Sequence, residues 1–287
     1  MERDLVVTKA SGQTVPFSEE KLRNSMKKSG ASTQQIDDVI AEIAGKLYQN
    51  MPTKAIYKLA FTLLKESSRH LAAKYHLKGA IMELGPSGFP FEKYVGEILR
   101  QQGYKVKVGE MVQGQCVMHE IDVIATLNQR QLLIECKYHN LRGTICDVKI
   151  PLYINSRFKD VEAQLLKQPE NKVMTHQGGV YTNTRFSDDA ITYGTCAGLQ
   201  LVGWDYPATG SLKDLVDMLE LYPITCLTSL TKTEKQYLLD KKIVLCQELD
   251  NNTRLLERAG VSPGRMNVVL QETHQLCRQT ATNEPNA

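Results

Sequence analysis

An α/β (α+β) fold is what this sequence predicts: a mixed β-sheet flanked by helices, with a mainly helical segment in front and a helical module behind. Three observations carry that expectation. The 287 residues exceed one ordinary core and suit two or three domains. Between about residues 85 and 210, helical and strand periodicities alternate in the order α-β-β-β-α-β-α-β, the order of a sheet with helices on its faces. On either side of that stretch nearly every apolar pattern has the helical period.

The first segment, 1–84, opens with two alternating stretches around Ser11-Gly12, which read as a small hairpin. Ser18, followed by Glu20 and Lys21, is placed to cap a helix. Ile36, Val39, Ile40, Ile43 and Leu47 then recur at helical spacing, as do Ile56, Leu59, Ala60, Leu63 and Leu64 behind a capping Thr53. A last helix over 67–84 stops at Gly85-Pro86. The run Gly85-Pro86-Ser87-Gly88 lacks the Gly-Lys-Ser/Thr ending of a phosphate loop and reads as a linker.

In the second segment, 85–210, Phe91, Val95, Ile98 and Leu99 line one face of a helix over 91–102 that ends at Gly103. Strand patterns follow at 104–108, 120–125 and 132–138, then a helix over 161–168, a strand over 178–182, a helix over 187–198 capped by Ser187, and a strand over 199–204. The third segment, 211–287, consists of short helical repeats separated by Gly-containing turns, with a disordered tail over 279–287.

Composition excludes several classes of function. Apolar residues at 42% and charged residues at 23% are those of a globular protein, not a disordered chain. With 35 Lys+Arg against 32 Asp+Glu the net charge is +3, so any contact with DNA or a membrane must come from local patches. The seven cysteines stand singly, without the paired spacing of a zinc site, and read as buried thiols in a reducing compartment. No apolar run reaches the ~18 residues of a membrane span, and the start has no signal-peptide core, so a cytoplasmic protein without a membrane partner is expected.

The chemistry concentrates between His119 and Asn140. Two strands flank the polar turn at 128–130, and Glu135 and Lys137, two apart, share a face of the second. If the strands pair, Asp122 comes to lie beside them. Two carboxylates with oxygen ligands suit Mg²⁺ or Mn²⁺, and an adjacent ammonium can position water and offset phosphate charge. Glu92 in the preceding helix offers a further carboxylate. Glu120 reads as a rim residue, His119 as an alternative on the same strand, and His139 as a loop residue. Lys149 and Arg157 are candidate phosphate contacts with DNA. Solvated surface charges would account for Lys149 and Arg157 equally well.

These residues resemble a known family. Asp122 with Glu135-Cys136-Lys137 is similar to the D…(D/E)-x-K core of the PD-(D/E)XK nucleases. The surroundings resemble its Mrr-type restriction endonuclease branch: Phe91-Glu92, Gly103-Tyr104, 120–124, 134–137, 180–183 and 201–204, about 86–206 in all. Ile121 stands where the family's proline would be. The resemblance implies a restriction-endonuclease-like core and metal-dependent hydrolysis of DNA, with Asp122, Glu135 and the Cys136 carbonyl as ligands and Lys137 as the catalytic ammonium. A nucleic-acid-binding protein that keeps the fold without cutting is the alternative. A second alternative is a nucleotide-sensing scaffold.

The opening segment is similar to an ATP cone, the nucleotide-sensing domain of ribonucleotide reductases and their transcriptional repressor. The matching positions are Val7, Lys9, Gly12, Val15, Pro16, Phe17, Lys21 and Leu22, then 51–56 and Ala73-Lys74-Tyr75. Ala10 and Ser11 replace the family's Arg and Asp. The resemblance implies ATP or dATP as an effector bound by Val7, Lys9, Gly12, Phe17 and Lys21. The tail resembles helix-hairpin-helix modules at Ala259-Gly260-Val261 and Pro263-Gly264-Arg265, and a bundle that forms a homodimer fits the same pattern.

Overall fold

In the computed structural model the described residues are 5–9, 11–141, 143–250 and 252–277. The tail expected to be disordered, 279–287, lies outside them, as does Ala10.

The chain begins with β1 (Val6–Thr8) and β2 (Thr14–Pro16), antiparallel around a turn in which Gly12 takes a φ of +84°. A side chain is disfavoured there, so the glycine sets the hairpin. α1 (Glu19–Lys28) starts where Ser18 accepts the Lys21 amide at 3.2 Å. Its acidic first turn and basic last turn both complement the helix dipole. α2 (Thr33–Ala44) opens on a reciprocal capping box between Ser32 and Gln35. β3 (Met51–Pro52) adds parallel to β1, and α3 (Thr53–Ser67) follows with Pro52, not Thr53, at its cap. The helix expected over 67–84 is two helices, α4 (Arg69–Tyr75) and α5 (Leu77–Ile81), which meet at His76. Val7, Met26, Ile43, Ile56 and Leu64 are buried together as the core of this segment.

α6 (Phe89–Gln101) leads into β4 (Lys105–Gln113), β5 (Met118–Leu127) and β6 (Arg130–Lys137). Next come β7 (Ile145–Cys146), α7 (Lys149–Leu165), β8 (Thr175–Thr182), β9 (Arg185–Phe186), α8 (Asp188–Cys196) and β10 (Gln200–Val202). The main sheet has the order β10-β8-β6-β5-β4. The β4, β5 and β6 neighbours are antiparallel, and the β6, β8 and β10 neighbours parallel. A mixed sheet is therefore present, as the alternating pattern implies. β7 and β9 pair separately.

α7 is the largest departure from the sequence reading, which placed a helix only over 161–168. Pro151, Ile154, Phe158 and Val161 are its buried residues, about one per turn, so the inward stripe is narrow and the polar residues between them dominate the pattern. Pro151 falls in the first turn, where a missing amide hydrogen costs no helical bond.

The C-terminal helices are α9 (Leu212–Leu219), α10 (Lys232–Asp240), α11 (Thr253–Arg258) and α12 (Pro263–Leu276). Gly260, at φ +90°, turns the chain between the last two. These helices do not form a separate core. Leu212, Leu215, Val216, Leu221 and Ile224 join one cluster with α6, with Val123, Ala125, Leu132 and Ile134 of the sheet, and with Leu77 to Leu84. The Tyr94 hydroxyl donates to the Leu221 carbonyl at 2.7 Å, and Thr225 donates to the Ala80 carbonyl at 2.7 Å. α7 and α8 cover the opposite face of the sheet through Ile154, Phe158, Val180 and Ala190. All seven cysteines are free thiols. Among the described residues no helix is long and apolar enough to cross a membrane.

Because Ile98 is fully buried in the shared cluster, Ile98→Ala is expected to destabilise the fold by about 2–5 kcal/mol. Urea unfolding followed by Trp204 emission and by far-ultraviolet dichroism should move to the same lower midpoint. Two separated transitions would show that the C-terminal helices unfold apart from the sheet.

Candidate active site

The site begins where a ladder stops. β5 and β6 pair from Leu127↔Arg130 to Val123↔Ile134, and the next residue, Asp122, leaves the main-chain register. Its carboxylate instead accepts the Cys136 amide at 2.7 Å. On the other side, the β4–β5 ladder passes over the same position, opposite Gly109 with its φ of +70°. Ile121 and Val123 pack into different clusters, so the pleat is broken at Asp122. Asp122 thus sits on a local kink at the heart of the sheet.

Glu135, on β6, is bound by Arg157 of α7 at 2.7 Å, and Arg157 also donates to the Glu120 carbonyl. The guanidinium lies 5.5 Å from the Tyr153 ring. Burial raises the Asp122 carboxyl to about 7, with the Glu135 charge adding to the rise and the Cys136 amide opposing it. Burial also raises Glu92, helped by the charges of Glu120 and Glu135. Four carboxylates, Glu92, Glu120, Asp122 and Glu135, therefore act on one another in a half-buried space. Arg157 is a cation that bears on Asp122.

Lys137 ends β6 opposite Thr182, whose hydroxyl donates to the Lys137 carbonyl at 2.7 Å. Its charge is felt by His139 and Cys146, lowering both, although burial dominates each group and carries the Cys146 thiol up to about 12. Tyr138 and His139 extend the strand's fixation. The Tyr138 hydroxyl donates to the Met82 carbonyl and accepts the Gly85 amide, and Asn183 brackets the His139 backbone. A Cβ at Gly85 would lie 2.5 Å from the Tyr138 ring, so the glycine permits the close approach.

Of the other expected positions only Arg157 stays at the site. Arg157, read as a phosphate contact, is committed to Glu135, a role its sequence neighbours give no sign of. Lys149 is exposed in the first turn of α7. His119 donates to Asp160 of α7 at 2.8 Å, and that bond holds the Asp160 carboxyl down at about 2. Asp160 also accepts the Cys116 and Val117 amides, so it fastens the β4–β5 turn. In the first segment, Val7 is buried in β1, Lys9 donates to Gln13 at 3.1 Å across the Gly12 turn, and Phe17 and Lys21 flank the start of α1.

The donors suit a hard divalent cation. Among the described residues no three His, Cys, Asp or Glu side chains form a metal-holding group, so Glu92 does not close up with Asp122 and Glu135. The available set is Asp122, Glu135 and the main-chain carbonyl of Cys136. Burial, with the Glu135 charge adding to it, disfavours the ionised Asp122 carboxylate, and a cation at this position would favour it.

Comparison with known proteins assigns the segments to families. Residues 5–77 match the family described as ATP cone domain, 85–205 that described as restriction endonuclease, and 222–277 that described as AF1548-like, C-terminal. An uncharacterised protein of Archaeoglobus fulgidus is 32% identical over 183 residues, 63% of this chain and 99% of the relative. A crystal structure of a protein of unknown function, AF1548, superimposes with a TM-score of 0.55 at 30% identity, covering 67% of this chain and 99% of the other. The class is an Mrr-like PD-(D/E)XK nuclease fold preceded by an ATP cone. Within it, the chain belongs to the AF1548-like family.

The Asp122 shift predicts a pH dependence. Its folded carboxyl binds a proton more tightly than the unfolded one, so stability of the metal-free protein falls as pH rises from about 4 to about 7. Asp122→Asn should therefore raise stability at pH 8 by on the order of 2 kcal/mol, with the gain gone near pH 4. Thermal melts across pH check this; an equal effect at both pH values would contradict it.

Proposed function

We propose that this chain is a divalent-metal-dependent endodeoxyribonuclease, hydrolysing DNA phosphodiester bonds in the cytoplasm in restriction of foreign DNA. The observation that carries the reading is the kink at Asp122, which sets two carboxylates against the end of a strand that finishes on Lys137. Asp122, Glu135 and the Cys136 carbonyl would hold Mg²⁺ or Mn²⁺. When bound, the cation supplies a more acidic water and screens charge on the phosphate. Lys137 would position the attacking water and stabilise the oxyanion, while Glu92 and Glu120 keep the local potential attractive to cations.

In this reading residues 1–84 sense ATP or dATP, 85–210 cut, and 211–287 contact DNA backbone at the Gly260–Gly264 turn or join two copies as a homodimer. Lys9 and Lys21 meet the nucleotide phosphates at the hairpin, beside Val7, Gly12 and Phe17. Lys149 adds a phosphate contact with DNA.

Supercoiled plasmid incubated with Mg²⁺ or Mn²⁺ should be cut by the wild type and at least about 100-fold more slowly by Asp122→Ala, Glu135→Ala and Lys137→Ala. Equal cutting by all four proteins would remove the assignment. Calorimetry with ATP and dATP should give heat that Lys9→Ala reduces; no heat from the wild type would remove the sensor.

The Arg157–Glu135 pair favours a second reading, in which the fold grips nucleic acid without cutting it, because the guanidinium occupies a carboxylate that a metal needs. Retardation of DNA in a gel without cleavage under any divalent cation is the outcome that selects it.

A further inference from the structure

One guanidinium ties together the two strands of the site. Beyond Val123↔Ile134 the β5–β6 ladder has stopped, and Arg157 of α7 crosses the gap. One of its nitrogens donates to the Glu135 carboxylate of β6 at 2.7 Å, the other to the Glu120 carbonyl of β5. The ion pair is largely withdrawn from water, with 14% of the Arg157 side chain and 19% of that of Glu135 exposed. Ile121, Ile154 and Phe158 line the same recess. A carboxylate in such a place needs a cation beside it, because an uncompensated charge there is costly. The cation nearest in sequence is not the one used. The Lys137 ammonium forms no ion pair or side-chain hydrogen bond among the described residues. Glu135 is neutralised from another element, and the strand's own lysine is left uncommitted.

From Glu135 a stripe of α7 runs to the surface. Lys149, Tyr153 and Arg157 are spaced by four and lie along one face of the helix. The guanidinium is 5.5 Å from the centre of the Tyr153 ring, Tyr153 is 59% exposed, and Lys149 is exposed in the first turn. Two cations and an aromatic ring therefore lead outward from the carboxylate. These groups suit a phosphate backbone, since the guanidinium fork that fits a carboxylate fits a phosphate in the same two-bonded way. A divalent ion and a guanidinium on one carboxylate, by contrast, are like charges in a poorly screened space, and they repel.

We propose that Arg157 is an exchangeable counter-cation: it occupies Glu135 while metal is absent, and a DNA phosphate arriving on the Tyr153 face of α7 draws it off and leaves the carboxylate to the divalent ion. This rests on the reading of the chain as a metal-dependent nuclease and adds the order of events at that site. Arg157 acts through Glu135 and is a positioning residue. Metal and DNA then help each other to bind, each by the same factor. Without DNA the site keeps its own cation and takes metal weakly, so the cutting centre is assembled on its substrate.

Calorimetric titration of the full-length protein with Mn²⁺ tests the exchange, in a Lys137→Ala background so that DNA survives. A saturating duplex oligodeoxynucleotide should tighten Mn²⁺ binding by about tenfold or more. Without DNA, adding Arg157→Gln should by itself tighten Mn²⁺ binding by about tenfold, and the duplex should then add less than about threefold. Arg157→Lys, which keeps a cation at Glu135, should bind Mn²⁺ within about threefold of the parent. The sign is decisive, because losing a purely structural clamp would loosen the carboxylates and weaken metal binding. An unchanged or weaker affinity in folded Arg157→Gln overturns the proposal. So does a duplex that leaves the parent's affinity unchanged or tightens both proteins equally. The parent's own response tests the coupling even if Arg157→Gln does not fold. If Asp122→Ala binds Mn²⁺ like the parent, the metal site is misassigned and the nuclease reading falls with the proposal. If Mn²⁺ binding needs Asp122 and is indifferent to Arg157, the nuclease reading stands and only the exchange is lost.

Discussion

Burial of α6 on two sides is the constraint on which the rest of the fold depends. Phe91, Tyr94, Val95, Ile98 and Leu99 are fully buried, between Val123, Ala125, Leu132 and Ile134 of the sheet and the C-terminal helices. Each such side chain is worth roughly 1.5–3 kcal/mol relative to exposure. The sheet alone could not cover this helix, so the C-terminal helices act as its second wall. The same packing fixes the first turn of α6, and with it Glu92, close enough for its charge to reach Asp122. A residue at the edge of the site is thereby held by contacts far from it.

The site is held in electrostatic tension. Burial first, and neighbouring carboxylates second, disfavour charge at Asp122, which binds its proton more tightly, while Arg157 neutralises Glu135. Both are arrangements that a divalent cation would replace. The kink at Asp122 serves the same end, because a carboxylate that takes the Cys136 amide in place of a ladder bond is locked in direction. The inward face of β6 shows the division of labour: Ile134 and Cys136 go to the core, and Glu135 and Lys137 alternate away from it.

Much of this was legible in the sequence because periodicity reports burial. The three central strands, the α6 stripe, the Ser18 and Ser187 caps and the hairpin at Gly12 all appear where their patterns place them. So does the proximity of Asp122 to Glu135, which follows from strand pairing across a short turn. Legibility ended where tertiary contact overrides local pattern. α7 shows only a narrow apolar stripe, so its first three turns read as polar loop. The Arg157–Glu135 pair joins residues 22 apart on different elements, and nothing in either neighbourhood encodes it. The break at His76 and the cap at Pro52 depend on packing and on fixed proline geometry that propensity does not weigh. The merging of the C-terminal helices with the central core is of the same kind, since apolar faces declare that they are covered but not by what.

The hydrogen bonds of Tyr138 give the junction between the first two segments a mechanical character. Its hydroxyl bridges the Met82 carbonyl and the Gly85 amide, three residues apart on either side of the bend between α5 and α6. Tyr138 is also the neighbour of Lys137 in the chain. The connection between the cone and the sheet domain is therefore not a slack tether whose length sets a local concentration. It is a short, stapled joint, tied to the backbone one residue from Lys137. Loosening the joint would require breaking both hydrogen bonds of one hydroxyl.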